Sequence, residues 1–160
     1  MIGPTTRVFG VVAASPETDG HVARIYNALF GFNGLDAAYL SFYVRPDVLH
    51  FTLTGFSTTR DTEELHVVPA HQEGAAKWAG LSGAIDAISF DPQRGELRDG
   101  DPERWLSTEA VCARALADAE RWFGRTMEAP PDWQAVVTET TMRPCKLTHD
   151  DFPRPHGRTP

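Results

Sequence analysis

His71 and Asp101 are the residues in this chain best suited to moving protons near neutral pH. An imidazole titrates close to neutrality, and a neighbouring carboxylate fixes its tautomer and raises its basicity. A second acid, Asp86, sits in the apolar run Ala84-Ile85-Asp86-Ala87-Ile88-Ser89-Phe90. Strand alternation places it on the face of Ile88 and Phe90, where a carboxylate must be paired, protonated or open to a cleft. Ser15 and Thr18 offer hydroxyls nearby in the reading, because they follow the first predicted strand. In open α/β sheets ligands settle outside the carboxyl ends of the strands, so groups that follow different strands are expected to converge.

Each of these residues also has a structural reading. Asp101-Pro102-Glu103 has the form of a helix start, with an N-cap, a first-position proline and an acid in the first turn. His71 lies at a strand-to-helix junction, where an exposed histidine without function is common. His66, His71 and Asp86 match no tight metal-ligand spacing, and no metal is expected. Cys112, Trp105, Trp122 and Trp133 read as packing residues. The absence of Gly-x-Ser-x-Gly disfavours a hydrolase elbow.

The elements that must position these groups alternate in type. Arg7 to Ala14 is a continuous apolar run of strand length, as in a strand buried on both faces. Val22, Ile25, Tyr26, Leu29 and Phe30 then recur at helical spacing, with Thr18 or Asp19 as cap and Gly31 or Gly34 at the end. Strands follow at 38–44, 65–68, 84–90 and 95–98, with helices at 47–53 and 72–79 between them. The order β-α-β-α-β-α-β-β predicts an α/β, three-layer fold with a mostly parallel sheet flanked by helices and ending in a hairpin. Cys112, Leu116, Ala119 and Phe123, widened by Val111, Ala115 and Trp122, predict an extra C-terminal helical segment over 102–126. Residues 133–142 lean towards strand.

Composition narrows the function classes. Against 22 acidic side chains stand 15 basic ones, a net charge of −7 that disfavours nucleic acid as a partner. No apolar run is long enough to cross a membrane, and no charged start leads into an apolar segment. Two cysteines without a motif fit a reducing cytoplasm. Residues 1–142 are read as a single domain and the proline-rich, basic segment 143–160 as a flexible tail.

Several segments resemble the substrate-binding domain of shikimate dehydrogenase. They are Arg7-Val8-Phe9-Gly10, Tyr26-Asn27-Ala28-Leu29-Phe30, and Gly34-Leu35-Asp36-Ala37-Ala38-Tyr39-Leu40-Ser41-Phe42-Tyr43-Val44. Leu65-His66-Val67-Val68-Pro69-Ala70-His71, Gly83-Ala84-Ile85-Asp86-Ala87-Ile88 and Gly95 to Asp101 extend the resemblance, in order, across 7–101. It implies a substrate role for Asn27 and a catalytic role for Asp101, and it puts His71 where the family has its lysine and Asp86 where it has an asparagine. Val67 and Leu65 replace two further family residues, and the family's carboxylate-binding serines have no clean counterpart. The nucleotide-binding domain has no counterpart in 102–160, and no Gly-x-Gly-x-x-Gly occurs, so no nicotinamide cofactor is expected.

The reading is therefore a cofactor-independent acid–base enzyme of cyclase, isomerase or dehydratase type, acting on a small hydroxylated or carbonyl metabolite of secondary metabolism. His71, Asp101 and Asp86 would be catalytic, and Ser15, Thr18 and Asn27 would bind substrate. The alternatives are a non-catalytic ligand-binding or interaction protein built on the same domain, or the accessory subunit of a separate oxidoreductase. The 102–126 helix would cover the sheet or form a homodimer face.

Overall fold

The computed structural model describes residues 2–90, 97–105 and 107–133. The expected turn at Asp91-Pro92, the family-like Gly95 and Glu96, nearly all of the 133–142 segment and the 143–160 tail lie outside these residues. The chain runs β1 (Arg7–Ala13), α1 (Pro16–Phe32), β2 (Ala37–Tyr43), α2 (Leu49–Thr59), β3 (Glu64–Val67), α3 (Pro69–Trp78), β4 (Ile85–Ser89), β5 (Leu97–Asp99) and α4 (Thr108–Phe123). Short 3-10 turns at Pro46–Val48 and Pro102–Trp105 precede α2 and α4.

The strands form one sheet in the order β2-β1-β3-β4-β5. β1 pairs in parallel with both β2 and β3, while β3–β4 and β4–β5 are antiparallel. The sheet is thus mixed, with antiparallel pairing starting one strand earlier than the alternation predicts. The loop 79–84 turns at Gly80 and Gly83, whose φ values are +74° and +97°. Such values suit glycine, which lacks a Cβ. The loop delivers the chain into β4 beside the end of β3, so α3 is not a crossover between parallel strands.

Alternation along β1 splits the core into two layers. Phe9, Val11 and Ala13 face α1 and α4, and Val12 faces α2 and α3. Gly10 is required by contact: a Cβ there would lie 2.7 Å from the Phe42 ring and 2.9 Å from the Leu40 carbonyl oxygen. All five apolar residues predicted to form the buried stripe of α1 are buried. Its cap is Ser15, one turn earlier than expected, with Pro16 in the first turn. The predicted 102–126 helix is interrupted. Ser107 accepts a hydrogen bond from the Ala110 amide and starts α4 anew, and Gly124 ends it at φ +63°.

The face of Asp86 is reversed from the expectation. Ile88 and Phe90 belong to the α2/α3 layer, whereas Asp86 pairs with Arg114 of α4 on the other side. A register irregularity between Ile85 and Ala87 breaks the alternation there.

Candidate functional site

The switch point of the sheet lies between β1 and β3, because β2 extends from one side of β1 and β3 from the other. Crevices form at such points beyond the carboxyl ends of the strands. A cleft of about 340 Å³ occupies this position, lined by Ala14, Thr18, Asp19, His21, Val22, Val68, Pro69, Ala70, Pro102 and Trp105. Its walls are thus the ends of β1 and β3, the first turns of α1 and α3, and the 3-10 turn before α4. The Trp105 indole offers an aromatic surface, and Thr18, Asp19 and His21 bring one hydroxyl, one carboxylate and one imidazole. Asp19 is already engaged through Oδ2, which accepts from the Ala14 and Ser15 amides at 2.8 and 3.1 Å. Burial holds the His21 imidazole below its ordinary value, against the opposing pull of Asp19.

Behind Trp105, between the sheet and α4, lies a cluster of buried polar groups. His66 is fully buried, its ring centroid 6.4 Å from that of Trp105. Its Nε2 stands 3.3 Å from both Glu64 Oε1 and Asp118 Oδ2, and its Nδ1 is 2.5 Å from the Tyr39 hydroxyl. Arg121 donates to both oxygens of Glu64 at 2.8 and 3.0 Å, Trp122 donates to Oε2 at 3.0 Å, and Tyr26 donates to Asp118 at 2.6 Å. Arg114, its side chain only 5% exposed, lies 3.3 Å from Asp86 and 3.5 Å from Asp118, and its guanidinium covers the Trp105 ring at 4.7 Å. Arg104 reaches Asp86 from the rim at 3.1 Å.

These contacts set the protonation states. Burial favours a neutral Glu64, but His66 and Arg121 outweigh it and hold the carboxyl down at about 2. Asp118 is held well below the usual carboxylate range, where His66, Arg114 and the Tyr26 hydroxyl overcome its burial. Tyr26 and Tyr39 are pushed far up, first by burial and then by the nearby carboxylates.

The sequence-predicted residues do not assemble as expected. His71 is buried in the first turn of α3 and its Nε2 donates to the Val44 carbonyl at 2.8 Å, so that nitrogen carries a proton bound to backbone. Asp101 is 44% exposed, accepts from the Glu103 amide at 3.1 Å and faces Arg104 at 3.5 Å. No hydrogen bond or ion pair joins His71 to Asp101: one ties α3 to the end of β2 and the other caps the 3-10 turn. Asp86 is neither in the cleft nor beside His71; it is a fully buried partner of Arg104 and Arg114. Ser15 caps α1, its Oγ accepting from the Thr18 amide at 3.3 Å. Asn27 exchanges two 2.8 Å hydrogen bonds with the backbone of Tyr39, locking α1 to β2. Of the six, only Thr18 lines the cleft.

His21, Trp105, Glu64, His66, Arg114 and Asp118 are the residues that sequence reasoning missed as a group. One signal was available. In Glu64-Leu65-His66-Val67 the polar and apolar residues alternate, and a polar face on an interior strand needs polar partners across the layer.

No family profile and no curated protein matches the chain. Among solved structures it is similar to a shikimate dehydrogenase in complex with NADP+, at 22% identity and a TM-score of 0.52, covering 79% of this chain and 42% of that one. It is similar to the shikimate 5-dehydrogenase from Listeria monocytogenes in complex with shikimate and NAD at 20% identity and a TM-score of 0.50, covering 73% and 50%. The shikimate dehydrogenase from Aquifex aeolicus aligns at 25% identity and a TM-score of 0.45, covering 61% and 38%. Among the described residues no helix is long and apolar enough to cross a membrane. The chain therefore has the α/β fold found in shikimate dehydrogenase structures, and it spans half or less of the length of these three.

Proposed function

We propose that this chain is a ligand-binding domain whose switch-point cleft takes a small hydroxylated or carbonyl compound without turning it over. The observation that carries the reading is the cleft itself, at the carboxyl ends of β1 and β3, with the Trp105 ring on one wall and the Thr18 and His21 polar groups on another. An apolar pocket with a few convergent polar groups is the ordinary form of a small-molecule site. Binding without catalysis is favoured because the expected acid–base pair is engaged elsewhere: His71 on the Val44 carbonyl, Asp101 on its own turn. Shikimate is the first probe to try, since one of the similar structures binds it.

Isothermal titration calorimetry tests the reading with shikimate and a panel of small cyclic hydroxy and carbonyl compounds. One-to-one binding is expected for at least one of them, weakened about tenfold or more by Trp105→Ala, the loss of a principal aromatic contact. Substrate loss, followed by mass spectrometry over the same incubation, is expected to be nil. Absence of binding at millimolar ligand, binding indifferent to Trp105→Ala, or turnover abolished by His71→Gln would each overturn it.

A further inference from the structure

We infer that Glu64, His66 and Asp118 form a buried site for a divalent transition metal, with Zn2+ the best match to its donors. One ligand atom from each of the three residues lies within 4.8 Å of the others, and all three residues are buried. Two of the three separations match such an ion. Four ligands held ~2.0–2.1 Å from a tetrahedral Zn2+ stand about 3.3 Å from one another. His66 Nε2 is 3.3 Å from Glu64 Oε1 and 3.3 Å from Asp118 Oδ2.

A second observation points the same way. His66 is fully buried, yet its Nε2 makes no well-directed hydrogen bond to either carboxylate it faces. A buried ring nitrogen in that state is costly unless something lies between it and the oxygens. A lone pair directed at a shared cation satisfies all three atoms together. The remainder of the ring is compatible with it: Nδ1 is 2.5 Å from the Tyr39 hydroxyl oxygen, which can accept from an Nδ1–H and so free Nε2 to ligate when the ion is bound. The carboxylates are oriented by their own donors, Glu64 by Arg121 and Trp122 and Asp118 by Tyr26.

Charge is the main objection, because four arginines surround the cluster. Arg98, Arg104 and Arg121 have side chains about one-third exposed, at 32%, 37% and 34%, so solvent screens them. Arg114 is the deep one, and Asp86 offsets it at 3.3 Å. The two ligating carboxylates then supply the two negative charges a divalent ion needs, and one neutral imidazole and two carboxylates suit Zn2+ or Co2+. Because the ligands come from β3 and α4, an ion there would join the sheet to the helix layer.

The full chain is refolded from denaturant with Zn2+, with Co2+ or with chelator, so that a closed site can load as it forms. The expected result is one metal per chain by elemental analysis after desalting, a visible tetrahedral Co2+ absorption, and a higher melting temperature in Zn2+ than in chelator. Tyr39→Phe, which preserves shape and removes only the hydroxyl beside Nδ1, is expected to weaken Zn2+ about ten- to hundredfold. His66→Gln is expected to abolish the Co2+ band. No retained metal, a melting temperature indifferent to Zn2+, or NMR showing His66 Nε2 protonated with Zn2+ present would overturn the assignment. The last outcome would put an N–H donor between the carboxylates in place of the ion.

Discussion

Asp86→Asn separates a structural role from a proton-carrying one at the acid that alternation misplaced. In the folded chain Asp86 Oδ2 is 3.3 Å from Arg114 and 3.1 Å from Arg104. At 3.3 Å a unit-charge pair interacts by about 5 kcal/mol at an effective dielectric constant near 20, before desolvation is subtracted. The Arg104 pair is discounted, since that side chain is 37% exposed. Arg114 is not; after the substitution its buried charge keeps, among the described residues, one acidic partner, Asp118 at 3.5 Å. Breaking a buried pair by removing one partner costs ~3–5 kcal/mol, and the surviving Asp118 contact puts Asp86→Asn near the lower end, about 3 kcal/mol. Urea titration at pH 7 measures the loss as a shift in midpoint with unchanged slope. The double variant Asp86→Asn, Arg114→Met removes both charges of the pair and, set against its two single variants, is expected to show a coupling of about 2 kcal/mol. A cost below ~0.5 kcal/mol for Asp86→Asn, or strict additivity in the double variant, would refute the pairing argument.

Glu64 predicts a specific acid response: its folded pKa of about 2 lies below the ordinary 4.5, so the unfolded chain binds the proton first. Its contribution of about 3 kcal/mol is complete above pH 4.5 and lost as pH falls from 4.5 through 2, with Asp118 extending the loss lower. Urea midpoints from pH 7 to 3 are expected to fall steeply only in the acid range, and less so in Glu64→Gln. Gly10→Ala is expected to cost about 1–3 kcal/mol, because the Leu40 carbonyl 2.9 Å from the new Cβ is backbone and cannot yield. Thermal melting checks this, and Phe42→Leu in the same chain should restore only part of the loss. His71→Leu removes the 2.8 Å bond to Val44 and is expected to cost about 1 kcal/mol while leaving cleft affinity unchanged in calorimetry.

Local order was readable because it is written in near neighbours. Val22, Ile25, Tyr26, Leu29 and Phe30 mark the buried side of α1 through helical spacing alone, and the apolar run from Arg7 marks β1. The resemblance across 7–101 leads to the same fold that the solved structures display. The site was not readable, because its partners are far apart in the chain. Glu64 meets Arg121 and Trp122, and Asp86 meets Arg114, pairings that no window of spacing exposes. Within α4 the apolar residues drew attention to Cys112, Leu116 and Phe123, while Arg114 and Asp118 are buried beside Val111, Ala115 and Trp122. A charge inside the buried stripe reads as surface until its partner is known. Asp86 failed for a different reason: a register irregularity of the strand reversed its side.

The charges buried along α4 also determine where that helix can rest. An all-aliphatic stripe could ratchet one turn along the sheet and lose little, since one methyl group packs much like the next. Arg114 and Asp118 are one turn apart and opposite in sign. A one-turn slide would carry the Arg114 guanidinium into the place of Asp118, against Arg98, and would strand Asp86. Misdocking is thereby penalised by repulsion as well as by lost packing, which gives the sheet and its last helix a single alignment.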